Sequence, residues 1–217
     1  TFLLDSSTIQ LTLRCFDWAR HRRRKAAAKL HMTMELSSRL PSFAVVEDAA
    51  HHDSVRAAAC TAHLGAGDIL VADRAYLDFA FLDGLAGRGV FYVVRKKCNM
   101  RFDAVEARQE RCEGDAERHE TQVLADEVVR PAKKTTAAKY KADDGKLRRV
   151  TALVEIRGEM KEIVFLTNNF GWSARTIAEL YRARWGIEVF FKEIKQTCQI
   201  HDFIGYSENA VKWQVWA

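Results

Sequence analysis

No run in this chain approaches the roughly 20 consecutive apolar residues that a helix needs to cross a bilayer, so no membrane-spanning role is expected of it. No C-x-x-C pair occurs among the five cysteines, Cys15, Cys60, Cys98, Cys112 and Cys198. Their scatter and odd number argue against a disulfide framework and a structural zinc site, and fit the reduced thiols of a cytoplasm. No signal-peptide pattern opens the chain, which begins at Thr1 without a Met and is expected to be a fragment. No internal repeat is visible. What is present is a chain of 217 residues, 48% hydrophobic and 29% charged, enough for one domain with an embedded insertion or for two small domains. Its formal net charge of +5 and pI near 9.0 favour a polyanionic partner.

The pattern along the chain is strand-rich at first. Residues 2–4 form an apolar run that ends on Asp5, and Leu11 and Leu13 continue an extended pattern. Residues 20–25 are all Arg, His or Lys and read as a solvated basic loop, with a phosphate contact as the alternative. Residues 29–36 alternate through Leu30, Met32, Met34 and Leu36, the period of a strand. A further strand is expected at 43–46. Residues 54–64 are Ala-rich and helical, stopped by Gly65 and Gly67. A strand at 69–72 ends on Asp73, a helix follows at 77–85, closed by Gly87 and Gly89, and a buried strand at 90–94. Three strands followed by helix, strand, helix and strand suit a mixed sheet with helices packed on it. From 98 to 170 the composition shifts to charge, with strands expected at 123–129, 150–156 and 163–166. The stretch 130–146 has the low hydrophobicity and high charge that resist folding.

Ser173 is placed as an N-cap, and one long amphipathic helix is expected from there to about Ile200. Tyr181, Arg184, Glu188, Lys192 and Lys195 fall on this helix. At about 100° per residue they lie within roughly 80° of one another, opposite Leu180, Ala183, Ile187, Phe190, Phe191 and Ile194. Such a stripe reads either as a solvated face with i,i+4 ion pairs or as phosphate-binding cations and a phenol around one carboxylate. Trp185 is either a base-stacking residue or core. Asp5 and Asp73, taken singly, also suit turn-forming residues. Asp53 reads as a cap of the helix that follows it, and His51 and His52 as loop residues.

Tyr, two residues, Arg, three residues, Glu, six residues, Lys is the signature of the insertion sequence 4 family of bacterial transposases. The chain carries it complete as Tyr181, Arg184, Glu188 and Lys195. Four fixed residues at fixed spacing arise by chance in a chain this long about once in a thousand. Leu4-Asp5-Ser6-Ser7-Thr8 resembles the family's first aspartate motif and Lys29-Leu30-His31 the segment after it. Asp73-Arg74-Ala75-Tyr76 resembles the second aspartate motif, and the run from Phe203 to Asn209 the stretch after the glutamate helix. The resemblance runs end to end in the same order.

The resemblance implies an α/β fold: a ribonuclease H-like mixed five-stranded sheet with flanking helices, interrupted by a mostly β insertion subdomain. The core would be residues 1–97 and 171–217, and the insertion 98–170. It implies a cut-and-paste transposase that cleaves transposon ends and joins the 3′-hydroxyl to target DNA. Asp5, Asp73 and Glu188 would be the catalytic carboxylates and the metal ligands, holding two Mg²⁺ ions that Mn²⁺ could replace. Hard divalent ions take carboxylate oxygens, and a pair of them serves phosphodiester cleavage. Tyr181, Arg184, Lys192 and Lys195 would hold the DNA. The implied partners are double-stranded DNA, as transposon end and target, and a second copy of the chain in a homodimeric DNA complex; the implied place is a bacterial cytoplasm, at the nucleoid when DNA is bound. Relatives that cut through a hairpin use a Trp in the insertion, and this chain has none between Trp18 and Trp172. The competing readings are a ribonuclease H-like nuclease without strand transfer and a non-catalytic DNA-binding derivative.

Overall fold

The computed structural model describes residues 1–11, 20–22, 25–49, 53–108, 121–156, 158–197 and 203–216. Two compact units emerge. One is built from Thr1–Phe2 and Leu64–Arg184, the other from Leu3–His63 and Trp185–Ala217.

The second unit holds the early strands β1 (Phe2–Leu11, its first residue in the other unit), β2 (Arg20–Arg22), β3 (Lys25–Glu35) and β4 (Pro41–Asp48). β3 lies beside β1, and both β2 and β4 pair with it antiparallel. The alternation expected in β3 is present, but its other face is buried too, with His31 and Thr33 fully enclosed. Helix α1 (Asp53–Cys60) packs on β3 and β4, and the Thr33 hydroxyl donates to the Cys60 carbonyl at 2.7 Å. α1 stops four residues short of the expected end. Thr61 follows, its side chain bonded back to the Ala57 carbonyl at 2.8 Å, a local competitor of the helical ladder. Asp5 is not the last residue of its strand, because Ile9, 3% exposed, supplies a second apolar anchor that carries β1 on to Leu11. The basic run is not wholly loop either: Arg20–Arg22 is a strand and Lys25 opens β3. His51 and His52 lie outside the described residues.

The other unit contains β5 (Ile69–Ala72), α2 (Phe79–Gly87), β6 (Phe91–Arg95), β7 (Phe102–Ala107), β8 (Thr121–Pro131), α3 (Lys134–Ala137), β9 (Leu147–Ile156), β10 (Glu159–Thr167) and α4 (Ala174–Ala183). Its strands run in the order β5-β6-β10-β9-β8-β7. β5 and β6 are parallel, joined through α2, and every other pairing is antiparallel. The Asp78 carboxylate caps α2 by accepting from the Ala80 and Phe81 amides. Gly89 closes it at φ +74, a conformation that glycine takes without steric cost.

The segment 98–170 is β-rich, as expected, but it does not stand outside the sheet. Leu166 pairs with Val94 and Thr167 with Val93, so β10 is hydrogen-bonded directly to β6. The apolar run Ile163, Phe165, Leu166 is buried to 1% or less, which suits an interior strand between β6 and β9. The two compact units divide at 63/64 and 184/185. In this unit six strands form one ladder, in which β10 joins β6 to the strands that follow it in the segment 98–170. The stretch 130–146 is also structured, through one aromatic: Tyr140, 1% exposed, meets the Tyr92 hydroxyl at 2.8 Å and the edge of Phe79.

The expected single helix is two. α4 ends at Ala183, and α5 (Trp185–Thr197) begins after a turn at Arg184, whose N–H bonds to the Tyr181 carbonyl three residues back. Gly186, a poor helix former, follows at once. The Ser173 cap is as expected, its hydroxyl accepting from the Thr176 amide at 3.0 Å. The last helix is α6 (Glu208–Trp216). Among the described residues no helix is long and apolar enough to cross a membrane.

Candidate active site

Asp73 directly follows β5, at the carboxyl end of the parallel pair, where ligands of open α/β sheets bind. The chain turns there because the Tyr76 amide bonds to the Asp73 carbonyl at 3.0 Å and the Tyr76 ring is buried as an anchor. Asp73 itself is left half-buried. An open cavity of about 580 Å³ lies against it, lined by Asp73, Arg74 and Ala75 after β5 and by Lys97, Cys98 and Asn99 after β6. Both halves of the lining are thus residues that follow the two parallel strands. Lys97 is steadied by a 3.0 Å bond from its ammonium to the Leu77 carbonyl.

Tyr181 reaches the same carboxylate from α4. Its hydroxyl donates to Asp73 Oδ1 at 3.1 Å, joining two residues 108 apart in sequence. The ring is 4% exposed and packs on Phe165 at 4.8 Å. Burial pushes its phenol up to about 12; Arg184 and Arg95 oppose that rise and the Asp73 carboxylate adds to it. The hydroxyl therefore stays protonated at neutral pH and remains a donor. The Arg184 guanidinium sits 5.4 Å from the Tyr181 ring centroid, within cation–π range. Tyr181 was expected on the polar stripe among the residues that hold DNA, and it is instead a buried residue whose polar tip meets Asp73. Ala174, Ile177, Ala178 and Tyr181 are the buried residues of α4, spaced 3, 1 and 3 apart.

In the other unit, Asp5 is half-buried in β1 and its Oδ1 accepts from the Ser6 amide at 2.8 Å. Glu188 lies in the first turn of α5, half-buried, where a carboxylate is favoured by the helix dipole. Lys195, in the last turn, donates to the Thr8 carbonyl of β1 at 2.8 Å. Burial lowers its ammonium from the usual lysine range. Lys192 is exposed, and Trp185 half-buried. The three expected carboxylates are divided between the units, Asp73 in one and Asp5 with Glu188 in the other. Within either unit the described residues hold no group of three His, Cys, Asp or Glu able to bind a metal ion. Arg95, Lys97 and Asn99 escaped the sequence reading. The signal for the last two was available, because residues following β6 lie beside those following β5 in any parallel pair.

The fold and the cleft define an α/β protein with an anionic group at the carboxyl end of a parallel pair and cations on the rim. The chain belongs to the transposase DDE domain family, whose family model matches residues 1–217. It is 32% identical over 220 residues to a protein of Sinorhizobium fredii named for a transposase, y4zB; the match takes in 99% of this chain and 57% of that protein. It is 29% identical over 215 residues to a Geobacillus stearothermophilus protein named for the transposase of insertion sequence element IS5377, covering 99% of this chain and 53% of that one. The chain thus spans about half the length of these relatives.

Proposed function

We propose that this chain supplies the catalytic carboxylates of a DNA transposase of the insertion sequence 4 type, with a ribonuclease H-like core. In this reading the protein cleaves transposon ends and joins the freed 3′-hydroxyl to target DNA, as a homodimer on double-stranded DNA in a bacterial cytoplasm. The observation that supports it most is the bond from the Tyr181 hydroxyl to Asp73. It ties the second aspartate motif to the tyrosine of the Tyr-Arg-Glu-Lys signature, a link that a chance match of either motif would not require.

Asp5, Asp73 and Glu188 would hold two Mg²⁺ ions. Asp73 suits a hard cation by its donor chemistry. Its Oδ1 takes the tyrosine bond, and its Oδ2 makes no hydrogen bond among the described residues. When bound, the ions would activate the attacking oxygen and stabilise the leaving one. The chain's own residues do the rest. Tyr181 fixes the orientation of Asp73 and keeps its proton while doing so. Arg184, Lys192 and Lys195 are cations for backbone phosphates, with Lys195 also tethering α5 to β1.

The test is a strand-transfer assay on the full-length protein, with labelled transposon-end duplex and Mg²⁺. Joined products longer than the substrate are expected, and Asp5→Asn, Asp73→Asn and Glu188→Gln should each reduce cleavage by orders of magnitude. Glu188→Gln should leave binding in EDTA intact, because it removes only a negative charge. Shortened products alone would make the protein a nuclease, and normal cleavage by Asp73→Asn would end the reading.

A further inference from the structure

The sequence places an unusual share of its charge in one short connection. Residues 130–146 carry six Lys or Arg and two Asp, a net +4 against +5 for the whole chain. Asp144 is occupied by Arg130 at 2.6 Å, with Lys146 at 3.9 Å. Lys133, Lys134, Lys139 and Lys141 are exposed and make no ion pair among the described residues. Yet the backbone beneath them is fixed. The Asp83 carboxylate at the side of α2 accepts the Lys141 and Ala142 amides at 2.6 and 2.9 Å. The Lys133 carbonyl accepts the Thr136 and Ala137 amides, both at 2.9 Å, and Tyr140 is sunk against Tyr92 and Phe79. Charge of this density would ordinarily keep a segment unfolded. Here one buried tyrosine and one carboxylate order it, so the lysines are displayed at a reduced entropic cost of binding.

We propose that this connection between β8 and β9 is a second DNA-contacting surface, a sequence-independent grip on duplex backbone apart from the Asp73 cleft. The proposal rests on the transposase reading for its choice of polyanion. Lysine ammonium groups act as point charges for phosphates and read no base edges. Tyr140 is the only aromatic in the stretch and is buried, so no ring is offered for the base stacking by which single strands are held. Position also favours DNA. Tyr140 lies 6.4 Å from Phe79, Phe79 6.2 Å from Phe102, and the Lys96 ammonium 6.0 Å from the Phe102 ring, next to Lys97 of the cleft. These steps together are shorter than one turn of B-form DNA, roughly 34 Å. A duplex with a phosphate at the cleft could therefore meet the lysines within the same turn.

The experiment uses the full-length protein carrying Lys133→Gln, Lys134→Gln, Lys139→Gln and Lys141→Gln together. Binding to a transposon-end duplex and to a scrambled duplex of equal length is measured in EDTA across a salt series. Affinity should fall by the same factor on both, and the slope of log K against log salt should flatten by roughly 0.9 for each phosphate no longer neutralised. The matching quadruple Lys→Arg protein should keep the wild-type slope, and both should melt as the wild type does. An unchanged slope in the glutamine variant, beside a wild type that binds DNA, overturns the grip alone. A larger loss on single-stranded RNA than on duplex overturns the choice of partner. A wild type that binds neither duplex at low salt sinks the transposase reading and the grip with it.

Discussion

Arg148 is the largest fully buried side chain among the described residues, and removing it should cost more than any surface change. It sits in β9 at 1% exposure, paired with Val128 of β8 and diagonal to Asp126 of the same strand, at 3%. The two make a fork, Nε to Oδ1 at 2.8 Å and Nη2 to Oδ2 at 2.7 Å. The remaining nitrogen, Nη1, donates to the Asn169 carbonyl at 3.2 Å and the Trp172 carbonyl at 2.5 Å. Arg148 thus pins the turn that leads into the Ser173 cap of α4, and so the helix that carries Tyr181. Arg148→Met would leave a buried carboxylate and two carbonyls without their donor. Breaking such a pair from one side costs about 3–5 kcal/mol. Arg108 Nε stays 3.7 Å from Asp126 Oδ2, which places the expected loss near the lower end, about 3 kcal/mol. Hydrogen exchange read on the β8 and β9 amides, beside urea unfolding, isolates this unit from the other. Adding Asp126→Leu should recover much of the loss, because the orphaned charge goes. A loss below about 1 kcal/mol, or no recovery in the double variant, would refute the argument.

Tyr181→Phe keeps the ring on Phe165 and removes only the bond to Asp73, so stability should fall by about 1 kcal/mol, while end cleavage falls roughly 10- to 100-fold, as for partners that orient metal ligands; loss of fold instead of activity would make the hydroxyl merely structural. Burial raises the Cys60 thiol to about 11, and Cys98 is exposed. A thiol-alkylating reagent at pH 8 should therefore label Cys98 first, with roughly a thousandth of Cys60 as thiolate, and peptide-resolved mass spectrometry would show the reverse order if this is wrong. At Gly186 an added Cβ would meet only the Met34 methyl at 3.9 Å, an ordinary contact, so Gly186→Ala should raise the melting temperature through about 0.4–1 kcal/mol.

Much of the strand pattern was legible because it follows from local periodicity. The alternation through Leu30, Met32 and Met34, the run ending on Asp73 and the Ser173 cap all appear where periodicity and capping put them. What escaped depends on tertiary company. Tyr181 looked polar beside Arg184, yet its spacing from Ile177 and Ala178 made it part of the buried stripe, and a phenol can be core and donor at once. Arg148 read as one charge among many in a charged segment; only the fold supplies the carboxylate and carbonyls that allow it inside. The interior place of β10 was hidden for a similar reason, since a four-residue apolar run does not say which strand lies beside it. Of the candidate site, the resemblance named Asp73 and Tyr181, and the structure joins them. Asp5 and Glu188 were named by resemblance, and their joint role with Asp73 belongs to the proposal above.

The run from Phe203 to Asn209 was singled out only for its resemblance to the stretch after the glutamate helix, and it can be given a physical reason. Gly205 lies in the loop before α6, where a Cβ on it would come within 2.6 Å of the Ala210 Cβ, closer than real Cβ atoms approach. Neither group has a flexible end that could swing aside, since Ala210 is one carbon from the helix backbone. Gly205→Ala must therefore move the loop or the start of α6. The loop is tied to that helix by the Ile204 amide on the Gln214 side chain at 3.0 Å and by the Ala210 amide on the Ser207 hydroxyl at 3.2 Å. Overpacking of this kind costs about 1–3 kcal/mol, against a gain of up to about 1 kcal/mol from restricting the unfolded chain. The expected result is a net loss, opposite in sign to Gly186→Ala. Ala210→Gly in the same chain should relieve the clash and restore part of it, less the penalty of a glycine in a helix, about 1 kcal/mol. Thermal unfolding of the three variants decides the matter. If Gly205→Ala melts at or above the wild-type temperature, the close approach is not what that glycine is for.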